Sequence, residues 1–417
     1  MDNSLKTDSN SPGISDVPGF ACSGIPSDIR NLGTQRLDTA IIFSSRPCTA
    51  AGTFTTNVVK AAPVRVSMEA LAAGRPMHGI VANSGNANAC TGAEGLANAV
   101  EMRRLAAEGC RVAPETFFIC STGRIGRQLP MDKVRAGVPV AARAIGTTPT
   151  HGTAAADAIL TSDTRPKSVT ARFTHAGSTV TVSGIAKGAG MIQPNMATMF
   201  AFVATDAAVP TALLQKLLSE CVHLSFNAIT VDGDMSTNDT VLALANGASG
   251  LEVDEANAAL LAKFREALLW VCQELADKIV SDGERITKVV EILVQGARTA
   301  TEANSVARAI GNSLLVKTSW FGHDPNWGRL MDAAGYAGTP FREEDVSLAY
   351  SPWPRAAGSL VPVLEKGTPI DANLPLWKAV VRERRFAIVM DLGMGTASYR
   401  LLANDLSTGY VDYNKSE

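Results

Sequence analysis

Apolar residues recur at three- and four-residue spacing through TALLQKLLSECVHLSF (211–226) and again through 255–280, which lines one face of an α-helix. The same reading predicts a short helix at 68–76, a longer one at 93–108 and a third long helix over 288–310. β-Branched runs broken by Pro and Gly fill 39–64 and predict successive strands. GIVANSG (79–85) and the start of FFICSTGRIG (117–126) read as strands running into loops, and 169–186 alternates as a hairpin around Ala176-Gly177. Further strands are expected at 228–232, 313–318, 347–350 and 385–392. Strands and helices mix without a βαβ beat, which favours an α+β layered sandwich over a doubly wound parallel sheet. The first 18 residues are polar, lack an apolar signal region and predict a disordered tail.

Composition narrows the classes. The 417 residues are 46% hydrophobic and 19% charged, enough apolar matter for a sizeable core and against disorder. Lys plus Arg number 38 against 40 Asp plus Glu, so charge offers no case for nucleic acid or an anionic membrane. No apolar run approaches the ~18 residues of a membrane span. Length alone allows two or three domains, yet no linker marks a seam. Seven scattered cysteines without a CxxC pair read as small buried hydrophobes in a reducing cytoplasm.

Familiar catalytic signatures are missing: no HExxH, no GxSxG, no GxxxxGK[ST], and five histidines with no pair at ligand spacing. VDGDMSTNDT (231–240) has the acidic look of a calcium loop, but Thr237 and Ala243 stand where that loop needs Gly and Glu, so a polar turn is the better reading. No metal or cofactor is implied. What remains are Thr-, Ser-, Asn- and Gly-rich loops attached to strands, which commonly mean turns and caps. A Thr can nonetheless be activated without His. If the chain is cut just before it, the new α-amino group serves as general base.

KGAGMIQPNMATMF (187–200) supplies such a Thr, with a Gly-Ala-Gly bend, Pro194 and an apolar run after Ala197-Thr198. Here the sequence resembles the ornithine acetyltransferase family, the bifunctional glutamate N-acetyltransferases of arginine biosynthesis. GTFTTNVVKAAPV (52–64), NSGNANACTG (83–92), STGRIG (121–126), LTSDTRPK (160–167), SFNAITVDGDMSTNDT (225–240), DGERITK (282–288), LVKTSWFGHDPNWGRLMDAAGYAG (315–338) and YVDYN (410–414) follow in the family's order. The resemblance implies a layered α/β/β/α sandwich and self-cleavage between Ala197 and Thr198. It thus implies an N-terminal piece (19–197) and a C-terminal piece (198–417) intertwined in one fold, two copies of each forming a tetramer. It further implies Thr198 as nucleophile, Thr122 and Gly123 as oxyanion hole, and Thr161, Lys187, Glu284 and Asn414 as contacts for amino-acid substrates. Without the resemblance, Lys187 and Glu284 would be read as solvated surface charge.

The pattern departs from the family at several points. Arg124 replaces a small apolar residue, Arg285-Ile286 replaces Gly-Ala, and Gln193 stands where His is frequent. Only Lys415, Ser416 and Glu417 follow Asn414, so a terminal substrate-contacting hydroxyl is missing or replaced by Ser416. These changes fall where substrate would be read, which leaves open a paralogue with another donor or acceptor. An amidase or aminopeptidase of related fold and a non-catalytic binding protein are the other readings.

Overall fold

The structure, a computed structural model, describes residues 4–193 and 199–415. Ala197 and Thr198, with the bond between them, lie outside the described residues, as does Ser416. The chain divides into two compact units where the sequence showed no seam. The first comprises residues 1–227 and 235–279, the second 228–234 and 280–417.

In the first unit the order is β1 (Lys6–Asp8), β2 (Phe20–Ile25), β3 (Thr39–Phe54), α1 (Ala62–Ala72), β4 (Met77–Asn83), α2 (Gly92–Gly109), β5 (Phe117–Ser121), α3 (Met131–Arg143) and α4 (Pro149–Ala158). It continues with β6 (Lys167–His175), β7 (Ser178–Lys187), β8 (Phe200–Thr205), α5 (Thr211–His223), β9 (Thr240–Ala245) and α6 (Ala258–Val280). The strands join in the order β1-β6-β7-β8-β9-β3-β4-β5, with β2 also on β3. Residues 39–64, expected to hold successive strands, instead give one 16-residue strand and the start of α1. The register of β3 shifts between Phe43 and Cys48, so its first half pairs with β4 and its second half with β9. One core gathers Ile42, Ile80, Phe118, Phe200, Phe202 and Leu242 from both halves of the sheet. A second packs Ile41, Val81 and Ile119 against Ala99, Met102, Val134 and Val138 of α2 and α3. On the remaining face, a Cβ at Gly184 of β7 would touch Leu275 and Val271 of α6. The unit is thus layered α/β/β/α, as expected of the α+β class. The β6–β7 hairpin turns at Ala176 and Gly177, both in the left-handed region (φ 49° and 87°), the geometry of a two-residue type I′ turn.

Residues 4–18 correct the expectation of a disordered tail. Lys6–Asp8 pairs with β6, and Ile14 and Val17 are buried. Their apolar side chains were too few to register as a periodic pattern, yet each fills a slot in the core.

The second unit runs β10 (Val289–Ala297), α7 (Ala300–Asn312), α8 (Leu314–Phe321), α9 (Trp327–Gly335), β11 (Ser347–Pro352), β12 (Val361–Glu365), β13 (Thr368–Pro369), α10 (Leu374–Arg382), β14 (Arg385–Asp391), β15 (Ala397–Asn404) and α11 (Thr408–Asn414). Its sheet order is β13-β12-β11-β14-β10-β15. Three expectations fail here. The helix expected over 288–310 is a strand followed by a helix: VVEILVQGA lies between β14 and β15, and the helix starts only after Thr299, whose side chain accepts from the Glu302 N–H. A buried apolar run cannot be told from a helix by periodicity, and tertiary pairing decided it. Residues 313–318, expected as strand, are helical because Ser313 caps α8. The closing YVDYN is helical behind the Ser407 cap. Residues 228–232 carry only an isolated bridge, Ile229 to Leu402.

Candidate active site

Thr122 and Gly123, expected as the oxyanion pair, lie in the first unit. β5 ends at Ser121, whose Oγ donates to Asn83 Oδ1 at 2.6 Å, and the Thr122 N–H donates to the Asn83 carbonyl at 3.0 Å. Gly123 lies at φ 131°, and a Cβ there would sit 2.3 Å from the Gly85 carbonyl carbon and 2.5 Å from the Asn86 nitrogen. Only glycine lets these two loops approach so closely. Thr122 is buried, and its Oγ1 accepts from Lys187 Nζ at 3.3 Å. That contact leaves the Thr122 hydroxyl hydrogen free to donate elsewhere. Lys187 itself is 3% exposed, so it is no solvated surface charge.

Lys187 ends β7, and the LTSDTRPK loop is tied beside it by a carboxylate. Asp163 Oδ1 accepts from Lys167 Nζ and from the Gly188 N–H, each at 2.6 Å, while its Oδ2 accepts from the Thr161 N–H at 3.0 Å. The Asp163 and Lys167 side chains are fully buried. Burial would raise the Asp163 carboxyl, but the Lys167 and Lys187 ammonium groups outweigh it and hold it below the usual carboxylate range. Thr161 is therefore tied through Asp163 to the Gly188 N–H, next in sequence to Lys187.

β7 and β8 are antiparallel neighbours, with Lys187 opposite Phe200. The described chain resumes at Met199, whose N–H donates to Asp239 Oδ1 at 2.7 Å. Burial pushes the Asp239 carboxyl well above the usual range, against the Met199 N–H and the Lys187 charge. The acidic residues of VDGDMSTNDT point to separate partners, since Asp232 Oδ2 accepts from the Tyr410 hydroxyl at 3.2 Å. Asp163, Lys167, Asn238 and Asp239 were not singled out from the sequence as site residues. The available signal was charge and amide groups inside motifs that the resemblance had already marked.

The second unit brings Glu284 and Asn414 together: Asn414 Nδ2 donates to Glu284 Oε2 at 3.3 Å and to the Tyr410 carbonyl at 2.9 Å. Ser407, the cap of α11, also donates from Oγ to the Arg285 carbonyl at 2.6 Å. Arg285 is in the left-handed region (φ 53°), with its guanidinium 5.0 Å from the Tyr413 ring centre. Lys317 is fully buried, and burial lowers its ammonium to about 8 against the pull of Asp232 and Asp405.

Residues 21–416 match the model of the ArgJ family. The chain belongs to the ArgJ family. The arginine biosynthesis bifunctional protein ArgJ of Symbiobacterium thermophilum is 45% identical over 404 residues, covering 97% of this chain and 98% of that protein. The protein of the same name from Thermotoga neapolitana is 43% identical, covering 95% and 98%. A crystal structure of ornithine acetyltransferase complexed with ornithine, from Mycobacterium tuberculosis, is 34% identical, covers 47% of this chain and 100% of that chain, and has a TM-score of 0.43. As a member of the ArgJ family the chain is an acyltransferase, the class its motifs implied. Among the described residues no helix is long and apolar enough to cross a membrane.

Proposed function

We propose that the chain is a self-cleaving acetyltransferase that moves an acetyl group from an N-acetylated amino acid such as N-acetylornithine to glutamate. The observation that carries this is the meeting of Thr122, Gly123 and Lys187, with Lys187 paired to the strand that begins just after Thr198. In the precursor, Thr198 Oγ attacks the Ala197 carbonyl, the peptide nitrogen leaves as the Thr198 amine, and water hydrolyses the resulting ester. In the mature enzyme that amine takes the hydroxyl proton while Oγ attacks the acetyl carbon of the donor. The oxyanion is received by the Thr122 hydroxyl and the Gly123 N–H. The donor's amine departs with the proton, and glutamate's amine then takes the acetyl group from the Thr198 ester. Lys187 would bind a substrate carboxylate beside Thr161, and Glu284 and Asn414 are further proposed substrate contacts. The mature form is proposed to be a cytoplasmic tetramer of two N-terminal and two C-terminal pieces.

Mass analysis should find pieces 1–197 and 198–417 in place of the 43.7 kDa chain. N-acetylornithine with glutamate should give ornithine and N-acetylglutamate, and Thr198→Ala should abolish both cleavage and transfer. An intact, inactive wild type would refute the proposal. A second reading, acetyl transfer with a different donor or acceptor, is favoured by one observation: directly after Glu284, where the family pattern has glycine, Arg285 sets a guanidinium 5.0 Å from the Tyr413 ring centre. Transfer from another N-acetyl amine but not from N-acetylornithine would select it.

A further inference from the structure

Two adjacent residues of the 231–240 segment reach both halves of the proposed machinery. Asn238 and Asp239 are 5% and 1% exposed and immediately precede β9. Asn238 Nδ2 donates to the Ala87 carbonyl and to the Ser121 carbonyl, both at 2.6 Å. Ala87 belongs to the loop that crowds Gly123, and Ser121 directly precedes Thr122. The Thr237 hydroxyl donates to Asn238 Oδ1 at 2.5 Å, which fixes the amide so that its NH₂ faces the two carbonyls.

Asp239 works in the other direction. Its Oδ1 accepts from the Met199 N–H, the amide of the peptide bond that follows Thr198, and the next residue's N–H (Thr240) donates to the Met199 carbonyl at 3.1 Å. Met199 is therefore gripped at both ends of its backbone. The segment is itself anchored, because the Thr55 N–H donates to the Asp239 carbonyl at 3.0 Å and the Thr55 hydroxyl to the Ser236 carbonyl at 2.7 Å.

We propose that Asn238-Asp239 is a positioning clamp that sets the nucleophile strand and the oxyanion loop in register, Asp239 through Met199 and Asn238 through Ser121 and Ala87. This rests on Thr198 as nucleophile. The two adjacent side chains bond to different partners, so one dipeptide can hold two loops that share no covalent connection nearby. Burial also favours the neutral carboxyl at Asp239, consistent with an oxygen acceptor used for position and not as an ionised base.

The test compares Asp239→Ala, Asp239→Asn and Asn238→Asp in the full chain. A misplacement near 1 Å costs about 10²-fold in rate, so Asp239→Ala should lose about that in kcat with KM within about twofold. Asp239→Asn keeps an acceptor for Met199 and should recover to within about threefold of wild type. Asn238→Asp cannot donate to the two carbonyls and should fall with Asp239→Ala. Amide exchange gives a readout free of turnover: Met199 should exchange faster in Asp239→Ala but not in Asp239→Asn, and Thr122 faster in Asn238→Asp, with β10 to β15 unchanged. Unchanged exchange at Met199 in Asp239→Ala, or an Asp239→Asn as slow in catalysis as Asp239→Ala, overturns the clamp. If wild type itself neither cleaves nor transfers, the acetyltransferase reading fails while the exchange data still judge the clamp.

Discussion

Lys167→Met is the sharpest test of the electrostatics around Lys187. Lys167 and Asp163 are fully buried and 2.6 Å apart, so deleting the ammonium strands a carboxylate with Lys187 as its main compensating charge. Removing one partner of a buried pair costs about 3–5 kcal/mol, because an uncompensated charge remains in a low-dielectric site. The pH dependence supplies a second handle. In wild type the Asp163 carboxyl is held low, so its stabilising contribution is present above about pH 4 and is lost as pH falls below that. In the variant, burial wins and the carboxyl moves up, so stability falls as pH rises from about 4. The deficit of the variant should therefore be small only well below pH 4, be already large near pH 4, and grow to its full size near pH 7. Amide exchange in β6 and β7 measures the opening free energy of the first unit directly. Adding Asp163→Asn removes the stranded charge and should return about 1–3 kcal/mol of the loss. A deficit under 1 kcal/mol at pH 7, or one independent of pH, would refute the reasoning.

Three further perturbations test separate parts of the structure. Gly123→Ala drives a Cβ into the Gly85–Asn86 backbone and should cost about 10²–10³ in kcat by displacing the proposed oxyanion loop, measured by steady-state acetyl transfer. Arg285→Ala should lose about 0.5–1 kcal/mol from the Tyr413 contact, seen in thermal unfolding. Arg285→Gly should lose less, since glycine relieves the left-handed backbone. Burial raises the Asp206 carboxyl to about 6 despite the Thr181 N–H at 2.8 Å, so wild-type stability should fall as pH rises from about 4 to 6. Asp206→Asn should remove about 1–2 kcal/mol of that fall, and an unchanged pH profile by denaturant titration would contradict it.

Much of this protein was legible before any coordinates. The helices at 211–223 and 258–280, the hairpin at Ala176-Gly177 and the strand before Thr122 follow from local periodicity and turn chemistry, which act over a few residues. So did the family, because its motifs are short and ordered. The tertiary structure decided what no local pattern encodes. It made 289–297 a strand by placing it between β14 and β15, made 313–318 part of a capped helix, and ordered the polar N-terminus by pairing it with β6. It also made Asp163 and Lys167 a buried pair, and gave Asp239 and Asn238 partners 40 and 117 positions away. The physical reason is burial. Whether a carboxylate or amide is solvated surface or an internal clamp depends on what packs over it, and those neighbours come from distant parts of the chain.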